Sequence, residues 1–400
     1  MKILQINSVC GSGSTGRLVA QTAQLVRENG GQSFVAYGGG TCKEPNSYRI
    51  NSKFEQKFSI AQTRLLGKHG FYNKAATKKL VKWIQNVNPD IIHLHNLHGH
   101  YVNVKILFDY LKKTNKPVVW SLYDCWSFTG HCAHFDFAGC NKWQTGCRNC
   151  EQKKNYPQSL IFDRSKSGYK AKKSAFAGVD NMTIVVPSKW LESKVKQSHL
   201  NNYKTKLIPS GIDLSAFSPI KSDLREKYNL TDKKIVLAVA SQWVKNKGIE
   251  YANKLADMLP DEYQVVIIGA KTQEYPNYSK KVLHIHKTEN IQELAKWYTA
   301  ADVLVITTLQ ETQGLTSVEA FACGTPVVAF NSGGAPEALD EKCGIVVEKC
   351  DVEGMMRAIE CIVENPQNFT ENACIDRSKD YDKNEKLKMY IDLYNEILGR

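Results

Sequence analysis

The residues with the clearest chemical potential are two glutamates, Glu311 and Glu319, separated by seven residues in the run Thr307-Thr308-Leu309-Gln310-Glu311-Thr312-Gln313-Gly314-Leu315-Thr316-Ser317-Val318-Glu319-Ala320-Phe321-Ala322-Cys323-Gly324-Thr325-Pro326. An apolar strand ending at Ile306, a loop and a helix opening near Gly314 would turn the backbone amides of Gly314, Leu315 and Thr316 into the crevice at that end of a sheet. Amides at a helix start, together with the helix dipole, favour an anion such as a diphosphate. Carboxylates cannot hold phosphate, but they accept hydrogen bonds from sugar hydroxyls. One glutamate therefore suits a ribose diol and the other a second, transferred sugar.

The same stretch resembles the Glu-to-Glu signature of retaining glycosyltransferase family 4, including the continuation Ala320-x-Ala322-Cys323-Gly324-x-Pro326-Val327 and then Gly333-Gly334-Ala335-Pro336-Glu337. The resemblance implies that Glu319 binds the nucleotide ribose, that Glu311 contacts the donor sugar, and that the amides following Glu311 hold the phosphates. The segment Ala238 to Gly248 is similar to the family's strand-loop-helix element in which an arginine and a lysine neutralise the diphosphate. Lys247 falls on the lysine; Gln242 stands where the arginine is expected, with Lys245 near enough in sequence to supply the charge. Fixed cations stabilise charge developing on a leaving diphosphate directly. With no Asp-x-Asp pair where a divalent ion would be expected, the reading is a transfer without a catalytic metal, with retention at the anomeric carbon as the family implies.

Further candidates lie in the first half. Gly11-x-Gly13-x-x-Gly16 follows a strand taken to end at Ile6 and precedes a helix taken to open at Arg17. A hydride-transfer enzyme would want an acid at the end of the next strand, and Val35 to Gly40 offers none. The family's first loop lies near donor phosphate and acceptor, which implies Gly16 and Arg17 as donor-binding residues. His93 and His95 share one side of a strand, as a metal pair would, but the segment more closely resembles the family's strand ending in His-x-His at the cleft, which implies His95, nearer the loop, as a catalytic candidate; His93 is open between that site and a buried structural role. Tyr123-Asp124 stands where the family has His-Asp, and His131 is a nearby substitute for the missing imidazole.

Cys125, Cys132, Cys140, Cys147 and Cys150 crowd into an insertion at about 124–151 with little apolar material for a core. Thiolates of Cys132, Cys140, Cys147 and Cys150 could bind one structural zinc tetrahedrally, with free thiols or a disulfide as the alternatives. The other seven cysteines are scattered singly and are expected as thiols.

Positioning these residues requires parallel sheets. Short β-branched runs alternate with amphipathic segments up to residue 212, and the alternation restarts beyond the Pro, Gly and Ser of 209–219. The expected architecture is α/β: two doubly wound Rossmann-like domains of the GT-B kind facing a central cleft. They are an acceptor-side domain over 1–212 and a nucleotide-sugar domain over 213–380, followed by a terminal helix over 381–400 that crosses back. With 400 residues, 42% of them hydrophobic, the chain is long enough for two cores.

The net charge of +13 is uneven, +18 over residues 1–200 and −5 over 201–400. Such asymmetry points to an anionic partner for the first half. The region Lys53–Lys82 interleaves eight basic residues with aromatic and aliphatic ones, and Lys166–Lys173 adds a second basic run. Both suit an anionic membrane surface carrying a glycan or lipid-linked glycan acceptor. The start MKILQINSVCGSG has no long apolar signal region, and no run is long enough to span a bilayer. The expected location is the cytoplasm, at the inner face of the membrane. A sugar-nucleotide epimerase of the same fold is the nearest alternative. A zinc-containing nucleic-acid-binding protein is the alternative from another class, but it leaves both glutamates unexplained, and nucleic acid is not an expected partner.

Overall fold

The computed structural model describes residues 1–270 and 279–400. The chain forms two units, Met1–Ile208 with Leu387–Arg400, and Pro209–Lys386. The division thus falls at Pro209 rather than 213, and the terminal segment joins the first unit from Leu387.

In the first unit the strands are β1 (Lys2–Cys10), β2 (Gln32–Gly40), β3 (Ser47–Arg49), β4 (Ile91–Leu94), β5 (Val118–Ser121), β6 (Met182–Val186) and β7 (Lys204–Leu207). They pair in the order β3-β2-β1-β4-β5-β6-β7, all parallel. All four residues of β4 and of β5 are buried, as expected of strands covered on both faces. β1 does not stop at Ile6: it continues because β2 runs beside it as far as Cys10↔Gly40. The helix after it begins at Gly13, not Arg17. That register also brings Cys42 to Cys10, and the two form a disulfide, so this pair corrects the expectation of isolated thiols.

The second unit contains β8 (Lys234–Val239), β9 (Tyr263–Ile268), β10 (Val282–Ile285), β11 (Val303–Ile306), β12 (Val327–Phe330) and β13 (Gly344–Val347). Their order is β10-β9-β8-β11-β12-β13, again parallel throughout. In each sheet the chain builds outward on one side and then returns to the other, so the order reverses between β1 and β4 and between β8 and β11. At such a reversal the loops leaving the two strands diverge and open a crevice at the carboxyl ends.

Two packing outcomes depart from expectation. The cysteine-rich insertion does have a core. Trp126, Phe128, Phe135 and Trp143 are buried in the cluster that includes β4 and β5, with Phe135 stacked on Trp143 at 4.7 Å and Phe128 at 5.4 Å from it. The basic region 53–82 is also not one face. Helix Lys74–Val87 turns Ala76, Leu80 and Ile84 inward, whereas helix Lys53–Leu66 buries only Ser59 and Thr63. In the second basic run Lys172 points inward, its ammonium donating to the Trp126 carbonyl at 2.5 Å and lying 4.0 Å from the Trp126 ring. Burial lowers its pKa to about 7, so it cannot extend a basic surface.

Candidate active site

In the second unit the reversal between β8 and β11 gathers the expected donor residues. The loop after β8 carries Lys245 and Lys247 on a single 3-10 turn, and the loop after β11 carries Glu311. Because the two strands are paired neighbours, their loops interlock. Leu309 N donates to the Asn246 carbonyl at 2.8 Å, and the Thr307 hydroxyl donates to the Lys247 carbonyl at 3.1 Å. Gly248 sits at a φ of +67°, where a Cβ would stand 2.1 Å from the Thr307 carbonyl oxygen, so only glycine fits the crossing.

The consequence is a direct ion pair, Lys247 Nζ to Glu311 Oε2 at 2.5 Å, with each side chain roughly a quarter exposed (29% and 25%). Two residues distant in sequence and assigned to different parts of a donor therefore meet at one point. Lys245 is exposed beside them. Glu311 is fixed by its backbone: its carbonyl accepts from Gly334 N at 2.8 Å, and a Cβ at Gly333 would lie 2.0 Å from that oxygen.

Helix Leu315–Ala322 starts behind this pair, with Gly314 at its N-cap in the left-handed region (φ 78°). Gly314 is buried, and Leu315 and Thr316 are partly buried. Along the same helix Glu319 Oε2 accepts the Tyr298 hydroxyl at 2.9 Å. Tyr298 is buried, and burial first and Glu319 second push its phenol well above the ordinary value, so it stays a donor. Sequence reasoning missed Tyr298, whose only signal was an aromatic in helix Ile291–Ala300. It also missed Gln313, whose amide donates to the Ser210 carbonyl at 2.9 Å and accepts from Ser210 N at 2.8 Å. That reciprocal pair ties the donor loop to the start of the second unit.

The first unit arranges its candidates differently. His95 is buried, with Nδ1 hydrogen-bonded to the Tyr123 hydroxyl at 3.0 Å and Nε2 to Gln5 Oε1 at 3.1 Å. Burial lowers its pKa to about 3. Both nitrogens are thus used internally, and His95 is a neutral positioning group rather than one open to a ligand. His93 is likewise held between the Tyr394 hydroxyl at 2.6 Å and Ser121 Oγ at 2.8 Å. His131 turns to the Lys153 carbonyl at 3.1 Å, with burial lowering its pKa to about 4. It does not stand in for the imidazole that Tyr123 replaces.

The imidazole at this edge is His98, in the loop after β4. Its Nε2 meets Asp124 Oδ2 at 2.6 Å and its Nδ1 meets the Tyr156 hydroxyl at 2.8 Å. Burial pushes the Asp124 carboxyl up, but His98 and the Trp126 amide more than offset it and hold it below its ordinary value. Asp124 was visible in sequence as the second half of the Tyr-Asp pair; His98 and Tyr156 become its partners only through folding. Gly16 is buried at the start of the first helix, its carbonyl accepting from Gly11 N at 3.0 Å, and Arg17 is exposed next to it.

Of the cysteines expected to bind zinc, Cys132 and Cys150 are in thiol-to-thiol contact, and Cys147 Sγ accepts from Gly130 N at 3.1 Å. Among the described residues no group of three or more His, Cys, Asp or Glu side chains could hold a metal ion. The expected four-cysteine zinc site is not shown. An open cavity of about 910 Å³ also lies in this unit, lined by Phe71, Tyr72, Ile106 and Lys68 among others, and contains none of the site residues.

Two Rossmann-like domains, with Glu311 and Glu319 at the second switch point, define the class: this is a glycosyltransferase of GT-B fold. The chain belongs to glycosyltransferase family 4, whose profile matches residues 15–216, and the profile of glycosyl transferases group 1 matches residues 233–365. It is 26% identical over 372 residues to the putative colanic acid biosynthesis glycosyl transferase WcaC of Escherichia coli K12, covering 88% of each chain. It is 30% identical over 206 residues to D-inositol 3-phosphate glycosyltransferase of Arthrobacter sp. FB24, covering 47% of this chain and 49% of that protein. Among solved structures it resembles sucrose-phosphate synthase from Thermosynechococcus elongatus (TM-score 0.71, 18% identity, 100% and 99% coverage). It also resembles Anabaena HepE in complex with UDP (TM-score 0.69, 15% identity, 99% and 100% coverage).

Proposed function

We propose that this chain is a retaining glycosyltransferase that moves a hexose-type residue from a nucleoside-diphosphate sugar to a lipid-linked glycan acceptor in surface polysaccharide biosynthesis. The observation that carries the donor half is the Lys247–Glu311 pair at the second switch point, in front of the helix start at Gly314. A diphosphate there would accept from Lys247, from Lys245 and from the amides of Gly314, Leu315 and Thr316, while Glu311 accepts from hydroxyls of the sugar it carries. Glu319, oriented by Tyr298, takes the ribose diol. The family resemblance would add Gly16 and Arg17, in the first turns of helix Gly13–Glu28, to the donor-binding residues.

Cleavage of the sugar-phosphate bond leaves negative charge on the diphosphate, and fixed cations and amides stabilise it without a metal. Glu311, the carboxylate at the donor loop, is paired with Lys247 rather than isolated as a nucleophile. A same-face displacement with no covalent intermediate fits that arrangement. On the first unit, His98 with Asp124 and Tyr156 is the polar group at the acceptor side, and His95 sets the position of Tyr123. The polysaccharide assignment draws on the name of the WcaC relative, and UDP, bound by HepE, is the first nucleotide to test. No helix among the described residues is long and apolar enough to cross a membrane. Peripheral association with the inner face of the membrane is part of the proposal and rests on the basic and apolar residues of the first unit.

A thermal-shift series over nucleoside diphosphates and their sugars tests the donor half, because a ligand that binds only the folded chain raises its apparent stability. The anomeric configuration of the product, read by NMR, tests retention. No stabilisation by any nucleoside diphosphate, or an inverted product, would overturn the corresponding half of the proposal.

A further inference from the structure

Helix Lys53–Leu66 is packed inside out. The residues it buries are Ser59 and Thr63, whereas Phe54 is 78% exposed and Phe58 58% exposed, with Leu65 and Leu66 about half exposed. Phe54, Phe58, Ala61 and Leu65 recur at the spacing of a single helical face, and that face points to solvent. The orientation is enforced locally. A capping box of Ser52 and Glu55 fixes the start. On the inner side Asn73 Nδ2 donates to Ser59 Oγ at 3.0 Å, Thr63 Oγ1 is hydrogen-bonded to His100 Nδ1 at 3.2 Å, and Gln56 Nε2 donates to the Gly99 carbonyl at 3.3 Å. Polar groups dock the helix, and its apolar groups are left outside.

A second exposed apolar segment lies against the first. Leu160, Ile161 and Phe162 are all exposed, Ile161 at 56%. Their loop is tied to the end of the helix by Leu160 N donating to the Arg64 carbonyl at 2.7 Å. The Arg164 side chain packs against Gly67, and its guanidinium lies 5.2 Å from the Phe162 ring centre. With Tyr156, these two segments hold eight of the eleven exposed large hydrophobic residues among the described residues. Contiguous apolar patches of this kind on a folded chain mark interaction surfaces.

The charge around the patch narrows the partner. Lys53, Lys57, Arg64, Lys68, Arg164 and Lys166 are exposed on the same two segments. The two acids among them are turned to backbone: Glu55 accepts from Ser52 N, and Asp163 accepts from the amides of Cys150 and Ser165. A second copy of the chain would set positive against positive. An anionic bilayer offers both things the patch lacks, negative headgroups for the basic rim and hydrocarbon for the phenylalanines and leucines.

We propose that helix Lys53–Leu66 and the Leu160–Phe162 loop form one bilayer-docking face for anionic lipid, with Phe54, Phe58 and Ile161 entering the interface. This deepens the reading of a lipid-linked acceptor and gives the loop a second role. The same loop segment contributes Tyr156 to the His98–Asp124 group, so docking sets the acceptor-side residues at the membrane surface.

The test is co-sedimentation of the full chain with phosphatidylcholine vesicles and with vesicles containing phosphatidylglycerol, at low and high salt. Binding should require phosphatidylglycerol, weaken with salt, and fall at least tenfold in Phe58→Ser/Ile161→Ser and in Lys53→Glu/Lys57→Glu. Both variants should keep the unfolding temperature of the parent, because they alter exposed side chains. Equal recovery from both vesicle types, no binding to either, or undiminished binding by both variants would overturn the proposal. So would a concentration-dependent dimer abolished by Phe58→Ser/Ile161→Ser without vesicle binding, which would make the face a self-interface. Vesicle binding needs neither donor nor acceptor, so its failure is distinct from failure of nucleotide binding, which would remove the donor reading and leave this face untouched.

Discussion

The two units solve the same topological problem with opposite treatment of their polar groups. At the reversal between β8 and β11 the second unit leaves Lys247 and Glu311 partly exposed and facing each other. At the reversal between β1 and β4 the first unit takes His93 and His95 out of solvent and satisfies all four ring nitrogens with Tyr394, Ser121, Tyr123 and Gln5. A histidine on the strand, or one residue past its end, is captured by the sheet's interior. A charged residue a few positions beyond the strand end, on an interlocked loop, stays available. Distance past the strand end, more than residue type, separates the groups with only internal partners from the partly exposed ones.

Acid should separate the units most strongly. In the first unit burial lowers the imidazoles of His69 and His93 well below the ordinary value, His95 to about 3, and His100, His131 and His199 to about 4. In the second unit only His284 is lowered. A base with a depressed folded pKa is neutral in both states above about pH 6.5. As the pH falls below that value the unfolded chain takes up protons that the folded unit refuses, so stability declines until the folded pKa is reached. At pH 5 each such histidine costs roughly 2 kcal/mol, and several together rival the total of about 5–15 kcal/mol that holds a domain folded. Limited proteolysis across pH 7 to 4, read by mass spectrometry, should cut within 1–208 well before 209–386. Simultaneous cleavage of both units would break the contrast.

Lys247→Met should reduce turnover by about 10²–10³, the scale of losing a fixed donor opposite developing charge, roughly 3–4 kcal/mol. The unfolding temperature should change little, because the pair is partly solvated. A variant with normal turnover would place the diphosphate elsewhere. His95→Gln sharpens the comparison from the other side: as a positioning change it should lower stability and leave the pH profile of turnover unmoved, whereas a shifted profile would restore His95 as a ligand-facing group.

Smaller effects are expected further along the donor helix. Glu319→Ala should weaken nucleoside-diphosphate binding by about 1–3 kcal/mol in calorimetry, since it removes charged acceptors from a ribose diol. Tyr298→Phe should cost about 1 kcal/mol or less, because it removes only the hydroxyl that orients Glu319. If Tyr298→Phe weakened binding as much as Glu319→Ala, the tyrosine itself would be the ribose contact.

The amino-acid sequence by itself determined the alternation of strands and helices, the two doubly wound sheets, and the Glu311 to Glu319 run, because hydrophobic period and glycine placement act over short stretches of chain. Its resemblance to the family also marked Lys247 and the Tyr123-Asp124 pair. Tertiary structure decided what depended on a partner far away in sequence. It extended β1 to Cys10 because β2 lay alongside, and it closed Cys10 on Cys42. It joined Lys247 to Glu311 and gave Asp124 its partner His98. It also built an aromatic core where the cysteines suggested zinc, since Trp126 and Trp143 could find that core only against β4 and β5. Helix Lys53–Leu66 is the sharpest instance: the sequence marked all of 53–82 as one basic, apolar-studded face, and folding kept only this helix's phenylalanines and leucines outside, because Ser59 and Thr63 take the inner side, where Asn73 and His100 are polar and need hydrogen-bond partners.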